Sequence, residues 1–281
     1  MRVLVAALAV LVLAAPSALA QDTARTETKT AASPAGEVRA ELSYVKEDDF
    51  RYRDVRIRIV RGGATVLDAP VPAPCDECPT NPSGAGDLDS LQLRDLDGDG
   101  EPEAMVDLYT GGAHCCLYSQ IYGFRASPDR YARVKATWGD VGYTLKDLDG
   151  DGSPEFRSAD WRFSSAFTAY VLSGFPIQVW EYANGRMNDV TRGFRTLVKR
   201  SLRSHLKLYK QVRKDEDGDV RGFLAAYVAE KYLLGQGDTA FDLVYAAYRR
   251  GELSPPLAIG SARGKKYISA LRKLLRQTGY R

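Results

Sequence analysis

The motif LRDLDGDGEPE at residues 93–103 recurs as LKDLDGDGSPE at residues 145–155, in a chain of 281 residues. We call residues 95–103 loop 1 and residues 147–155 loop 2. In each loop three aspartates occupy positions 1, 3 and 5, and a glycine occupies position 6. Glycine tolerates the backbone angles of a sharp turn, so alternate side chains can converge on one point. The repeat therefore predicts two tight acidic loops of the same shape.

The pattern of oxygen-bearing residues in both loops predicts calcium sites. Calcium takes six to eight oxygen ligands from carboxylates, carbonyls and water. Without a cation, three converging aspartates would repel one another. The alternative to a calcium site is an acidic turn that is exposed to solvent and holds no ion. The predicted ligands of loop 1 are Asp95, Asp97, Asp99, the carbonyl of Glu101, and Glu103. Those of loop 2 are Asp147, Asp149, Asp151, the carbonyl of Ser153, and Glu155.

These loops do not fit an EF-hand, which needs a bidentate glutamate at position 12, where Val106 and Ser158 stand. The residues around them are typical of strands. The stretch 90–165 resembles the calcium loops of FG-GAP/VCBS repeat proteins, in which a loop joins two strands of an integrin-type propeller. The resemblance implies Ca²⁺ as the cofactor and a partial propeller or sandwich-like body, since a closed propeller needs at least four blades. The stretch 111–116 is also similar to one in uncharacterised secreted bacterial members of this class, and this second resemblance does not point to a particular activity.

The N-terminus is typical of an exported protein. Residues 3–15 are apolar, a proline interrupts them, and Ala18-Leu19-Ala20 offers a cleavage site. This pattern predicts a signal peptide over 1–20, and a secreted protein that is extracellular, periplasmic or on the cell surface. Residues 21–36 are rich in Thr, Ala, Ser and charge, and they predict a disordered tether. No later stretch reaches the ~18 apolar residues of a transmembrane helix.

The rest of the chain changes period near residue 190. Between 37 and 190, alternation such as Val55, Ile57 and Ile59 against arginines predicts antiparallel strands. From 191 to 281, apolar residues recur at helical spacing in four stretches and predict a small helical bundle. A turn is predicted at the further acidic stretch 215–219, which lacks glycine at position 6. The predicted fold is α+β, with a β domain at 37–190 and a basic helical domain at 191–281.

Charge divides along the same boundary. Residues 191–281 hold 20 Lys+Arg against 8 Asp+Glu, which leaves 39 − 20 = 19 against 36 − 8 = 28 before them. An anionic cell-surface polymer or an extracellular protein is therefore a candidate partner, and the alternative is a solvated face of the bundle. Nucleic acid is not expected. The basic residues concerned are Arg192, Arg195, Lys199, Arg200, Arg203, Lys207, Arg263, Lys265, Lys266, Arg272, Lys273 and Arg276.

The four cysteines of an exported chain predict disulfides. A bond between Cys75 and Cys78 would leave Cys115 to pair with its neighbour Cys116, whose Cα lies only ~3.8 Å away, below the usual disulfide span of ~4.4 Å or more. We therefore expect the 75–78 loop to be joined to Cys115 and Cys116. The alternative is a zinc or copper site formed by the four cysteines and His114.

The sequence favours a structural, adhesion or ligand-binding role over catalysis. It contains only two histidines, and it lacks the common hydrolase, metalloprotease, phosphate-loop and dinucleotide motifs. No catalytic residue is assigned. His205 lies on an apolar helical stripe and is expected to be packed. The alternative function is an extracellular hydrolase that uses paired carboxylates or a site at His114, Cys115 and Cys116.

Overall fold

The computed structural model describes residues 23–48, 51–76, 78–84, 88–112, 116–126, 130–215, 217–256 and 262–281. The predicted signal peptide and its cleavage site lie outside these residues. Strands precede helices along the described chain, which gives the α+β class expected from the sequence. None of the helices in the described ranges is both long and apolar enough to cross a membrane.

The first sheet contains four antiparallel strands in sequential order. They are β1 (Thr23–Ser33), β2 (Gly36–Lys46), β3 (Tyr52–Arg61) and β4 (Ala64–Pro70). In β3 the predicted alternation holds, because Val55, Ile57 and Ile59 are buried and the arginines between them are exposed. This period of two places one face of the sheet against the protein core.

Strand β1 corrects the prediction of a disordered tether. Every residue from Thr23 to Ser33 pairs with β2, although β1 contains no buried residue. An edge strand gains its hydrogen bonds from its neighbour, so it can form without an apolar face of its own. A side-chain anchor adds to the ladder, since Glu27 accepts hydrogen bonds from Ser90 Oγ at 2.6 Å and from the Leu91 amide at 3.2 Å. Composition alone does not report either contribution.

Two further antiparallel sheets follow. The second contains β5 (Asn81–Pro82), β6 (Leu91–Arg94), β7 (Glu103–Tyr109), β8 (Leu117–Arg125) and β9 (Arg130–Gly139), and both β5 and β6 pair with β7. The third contains β10 (Thr144–Lys146), β11 (Glu155–Ala159), β12 (Ile177–Ala183) and β13 (Arg186–Asp189). Buried residues of the first and second sheets share one apolar core. No sheet in the described part of the chain closes into a barrel.

The C-terminal part contains the four expected helices, α1 (Arg195–Val212), α2 (Arg221–Leu233), α3 (Asp242–Arg249) and α4 (Lys265–Gln277). Residues 213–220 connect α1 to α2, as predicted for the third acidic stretch, of which Glu216 lies outside the described residues. The core of this bundle also includes Phe163, Phe167 and Ile177, which precede the predicted boundary at 190. Packing therefore crosses the point at which the sequence period changes.

Candidate metal centre

Loop 1 and loop 2 each join two antiparallel strands. Loop 1 connects β6 to β7 across the pair Arg94↔Glu103, and loop 2 connects β10 to β11 across the pair Lys146↔Glu155. The position that would hold the EF-hand glutamate lies inside a strand in both cases. The local architecture is therefore strand–loop–strand.

The first aspartate of loop 1 organises the turn. Asp95 accepts hydrogen bonds from the amide of Gly98 at 2.7 Å and from the amide of Gly100 at 2.9 Å. Asp99 accepts a bond from the amide of Glu101 at 2.8 Å. Gly98 and Gly100 have φ angles of 73° and 85°, which residues with a Cβ rarely adopt. The aspartates and glycines of the motif therefore fix the loop shape together.

Loop 2 contains the counterpart of each of these three bonds, and in addition the Asp151 amide donates to Asp149 Oδ1 at 3.2 Å. Asp147 accepts from the amides of Gly150 at 2.6 Å and Gly152 at 3.1 Å, and Asp151 accepts from the amide of Ser153 at 2.8 Å. The two loops share a 52-residue sequence offset and the same hydrogen-bond frame. Their similarity is therefore structural as well as sequential.

A glutamate at position 9 closes each loop. The Leu96 amide donates to Glu103 Oε2 at 3.0 Å, and the Leu148 amide donates to Glu155 Oε2 at 2.7 Å. Glu103 is 3% exposed and Glu155 is 4% exposed. Each carboxylate is thus held under its loop by one main-chain donor.

The acidic groups of loop 1 destabilise one another's charged forms. Burial raises the pKa of the Glu103 carboxyl to about 8, and the neighbouring charges of Asp97, Asp99 and Asp95 add to the rise. Burial also raises the pKa of Asp97, with further contributions from Asp99 and Asp95. Asp97 Oδ1 is buried and accepts no hydrogen bond from the described residues. In loop 2, burial likewise raises the pKa of Glu155.

The structure brings most of the predicted ligands together in two clusters. Within each cluster one carboxylate oxygen per residue lies within 4.8 Å of the others. The cluster in loop 1 contains Asp95, Asp97 and Asp99, and the cluster in loop 2 contains Asp147, Asp149 and Glu155. Glu103 and Asp151 lie in the same loops but outside these two groups. A hard cation such as calcium suits a donor set made of oxygens only.

The side chain of Glu101 has a role that the sequence did not indicate. Its two carboxylate oxygens accept from Arg61 Nε at 2.9 Å and Nη2 at 3.0 Å. The Arg61 guanidinium also lies over the ring of Phe124, 3.8 Å from the ring centre. This bidentate pair joins loop 1 to the end of β3 in the first sheet. A lone arginine at a strand end gives no sequence signal for such a contact.

The two loops are also neighbours in space. A Cβ placed on Gly98 would lie 2.8 Å from Ser153 Oγ, so loop 1 and loop 2 approach to within side-chain contact. On the other side of loop 1, a Cβ on Gly100 would lie 3.9 Å from Pro34 in the β1–β2 turn. The acidic region is therefore one shared surface between the sheets.

The predicted disulfide pairing is wrong. Cys75 bonds to Cys78, with their Cα atoms 5.1 Å apart, inside the usual span. Cys116 is also disulfide-bonded, and no described cysteine is free, so the zinc or copper alternative has no thiol ligand among these residues. The prediction rejected a Cys75–Cys78 bond only because that bond would leave Cys115 to pair with its neighbour Cys116. The geometry of the Cys75–Cys78 bond is itself ordinary. His114 and Cys115 lie outside the described residues.

His205 is packed, as expected. It is 8% exposed, and its Nδ1 lies 3.0 Å from Glu230 Oε2, a carboxylate with no exposed surface. Glu230 also accepts a hydrogen bond from the Ile177 amide at 3.4 Å. This pair therefore links α1, α2 and β12 inside the protein.

Comparison with known proteins gives one family match and two relatives. Residues 198–279 match the family model described as the sll0997 C-terminal domain. The chain is 32% identical over 164 residues to a probable thylakoid lumen protein, sll0997, of Synechocystis sp., which covers 57% of this chain and 48% of the relative. It is 29% identical over 263 residues to an uncharacterized protein, y4bJ, of Sinorhizobium fredii, which covers 88% of this chain and 40% of the relative.

The chain spans less than half the length of each of these two relatives. No solved structure matches it. The family match falls on the helical part, from α1 to the end of α4, whereas the acidic loops lie outside it.

Proposed function

We propose that this protein is a calcium-binding module of the FG-GAP/VCBS type, in which ions held by loop 1 and loop 2 stabilise the β body. The observation that carries the proposal is the hydrogen-bond frame that the two loops share, in which the first aspartate accepts from two glycine amides and the third aspartate accepts from the amide two residues on. That frame fixes the first aspartate, and in both loops a carboxylate oxygen of the position 3 aspartate lies within 4.8 Å of it, joined by Asp99 in loop 1 and by Glu155 in loop 2. An acidic turn that merely faces solvent has no need for such a repeat.

Loop 1 supplies a second line of support. Its buried Asp97 Oδ1 accepts no hydrogen bond from the described residues. An unpaired carboxylate oxygen away from water is costly, and a cation would satisfy it. The neighbouring carboxylates of Asp95 and Asp99 accept main-chain hydrogen bonds, but a cation would also offset the repulsion among the three, because like charges at this spacing disfavour one another.

The position of the loops favours a structural role for the ions. Each loop joins two paired strands, and loop 1 is also tied to the first sheet through Arg61 and Glu101. An ion in loop 1 would hold β6, β7 and the end of β3 in one arrangement. Most of its ligands would come from the protein, whereas a catalytic metal keeps an open position for substrate.

We further propose that the protein works outside the cytoplasm. The predicted signal peptide, the Cys75–Cys78 disulfide and the lumenal assignment of the Synechocystis relative support this location. Disulfides persist in oxidising compartments. A structural, adhesion or ligand-binding role follows, with calcium as the stabilising cofactor.

Isothermal titration calorimetry of the full chain with calcium tests the proposal. We expect two sites with Kd on the order of 10⁻⁴ to 10⁻³ M, as in other extracellular modules. An Asp97→Asn, Asp149→Asn double variant should lose both. Asp217→Asn, which neutralises an exposed aspartate in the α1–α2 turn, is the matched control and should bind like the wild type.

Thermal unfolding then tests the structural role. Calcium at ten times Kd stabilises the folded state by roughly 1.4 kcal/mol per site. The wild type should therefore melt several degrees higher with calcium than with chelator, and the double variant should not respond. Absence of binding heat, or unchanged binding in the double variant, would overturn calcium binding. Binding without a change in melting temperature would overturn only the structural role.

A further inference from the structure

The exposed side of α1 is basic and contains no acidic residue. The helix has 18 residues, which span about 27 Å at 1.5 Å per residue. At about 100° per residue, its basic side chains fall within an arc of about 140°. They are Arg195, Lys199, Arg200, Arg203, Lys207 and Lys210. We call this set the α1 basic face.

A polar groove lies beside this face. It encloses about 280 Å³ between α1 and the ends of β11 and β12. Two guanidinium groups and three hydroxyls line it, together with Phe175, Ile177 and Leu197. The polar groups belong to Arg157, Arg200, Ser158, Ser201 and Ser204. Neither arginine forms an ion pair with a carboxylate of the described residues, so both can receive an anion.

Exposed apolar side chains continue the same surface. Phe175 lines the groove and also a neighbouring depression that contains Trp161 and Tyr170. Trp161 is 38% exposed, and Val171, which follows Tyr170 in the turn Tyr170–Leu172, is 80% exposed. One carboxylate, Asp140, faces this depression and accepts a hydrogen bond from the Tyr170 hydroxyl at 2.5 Å. Basic and apolar groups therefore lie side by side at the surface.

We propose that this surface docks onto a bilayer of anionic phospholipids. The α1 basic face would contact headgroup phosphates, the groove between Arg157 and Arg200 would receive one of them, and Trp161 and Val171 would enter the headgroup boundary. Cationic side chains beside exposed apolar ones are the combination that binds such an interface. A soluble polyanion needs the charges alone and gives Val171 no role.

Vesicle co-sedimentation tests the charge requirement. The full chain should bind vesicles of equal parts phosphatidylglycerol and phosphatidylcholine, and it should not bind phosphatidylcholine alone. Each neutralised cation should weaken binding about fivefold. The Lys199→Ser, Arg203→Ser, Lys207→Ser variant should therefore lose on the order of a hundredfold. These three side chains are exposed, so we expect the fold to be retained, which circular dichroism checks.

The matched control removes three exposed lysines from α4. The Lys265→Ser, Lys266→Ser, Lys273→Ser variant makes the same change of net charge and should bind within about twofold of the wild type, because none of these lysines lines the groove or the neighbouring depression. An equal loss in this control would show that net charge alone drives binding and would overturn the assigned surface.

Tryptophan fluorescence tests the apolar contact. Emission should shift to the blue on binding to the mixed vesicles, and Trp161→Phe should abolish the shift. Val171→Asp should weaken binding to the mixed vesicles. Equal binding to phosphatidylcholine vesicles would overturn the proposal. A second outcome would also overturn it. If inorganic polyphosphate bound through the α1 basic face as tightly as the vesicles do, and the vesicles caused no shift in Trp161 emission, the partner would be a soluble polyanion.

Discussion

Arg221, at the start of α2, should be among the most costly residues of the bundle to replace. Its side chain has no exposed surface. Nε and Nη2 donate to the two carboxylate oxygens of Asp219 at 2.8 and 2.6 Å, and Nη1 donates to the Ala262 carbonyl at 2.7 Å. Asp219 is itself only 6% exposed. The change Arg221→Met keeps an unbranched side chain but leaves this carboxylate buried without its cation.

The expected loss follows from that unpaired charge. Removing one partner of a buried ion pair costs about 3–5 kcal/mol, because the remaining charge keeps its desolvation penalty. A protein of this size loses roughly 2–4 °C of melting temperature per kcal/mol. Arg221→Met should therefore lower the melting temperature by about 6–20 °C. Removing both charges with Asp219→Leu should recover much of this loss, since apolar replacement of a buried pair is often neutral.

Thermal unfolding followed by circular dichroism measures the melting temperatures, and urea unfolding measures the corresponding free energies. The matched control is Arg213→Met, which removes another arginine from the same region. Arg213 pairs with Glu252 at 2.8 Å, its side chain is 35% exposed, and Arg250 still pairs with Glu252 in its absence. This control should cost at most about 1 kcal/mol. Two results would contradict the reasoning. They are a loss of stability in Arg221→Met no larger than that in Arg213→Met, and a loss in the Arg221→Met, Asp219→Leu double variant as large as that in Arg221→Met alone.

Three further changes test other contacts. The pKa of Glu252 is lowered, because its bonds to Arg250 and neighbouring groups outweigh the effect of burial. The ionised Glu252 therefore contributes its full stabilisation above its ordinary pKa of 4.5, and this contribution is lost as pH falls through its pKa in the folded protein. In an acid titration, Glu252→Gln should lose less stability below pH 4.5 than the wild type does. Arg61→Ala should cost about 1–3 kcal/mol in urea unfolding, because it leaves the buried carboxylate of Glu101 without its guanidinium partner. Asp107→Asn should cost about 1–3 kcal/mol, because a fully buried carboxylate that accepts bonds from a serine and a tyrosine would lose an acceptor oxygen; an unchanged midpoint would contradict this.

The sequence by itself determined the features that depend on neighbouring residues. The aspartates and glycines of the motif at 95–103 make their hydrogen bonds within the motif, so one copy predicts its own loop shape and two copies predict two loops. Period also identified strand β3 and the four helices, because side-chain spacing along the chain decides which face can be buried. The α+β class follows from these local signals.

Only the tertiary structure decided features that depend on distant partners. Strand β1 forms because β2 offers a complete ladder and Ser90 and Leu91 offer donors to Glu27, none of which its polar composition reveals. The Cys75–Cys78 bond depends on how the chain bends between those two residues.

The surroundings of the acidic loops and of α1 are also tertiary properties. Glu101 meets Arg61 across 40 residues, and Gly98 meets Ser153 across two sheets. Arg157 and Arg200 meet at one groove because α1 packs against β12, the strand that pairs with β11. The spacing of residues along a chain fixes which groups share a turn or a face, whereas the packing of sheets and helices fixes which of those faces meet.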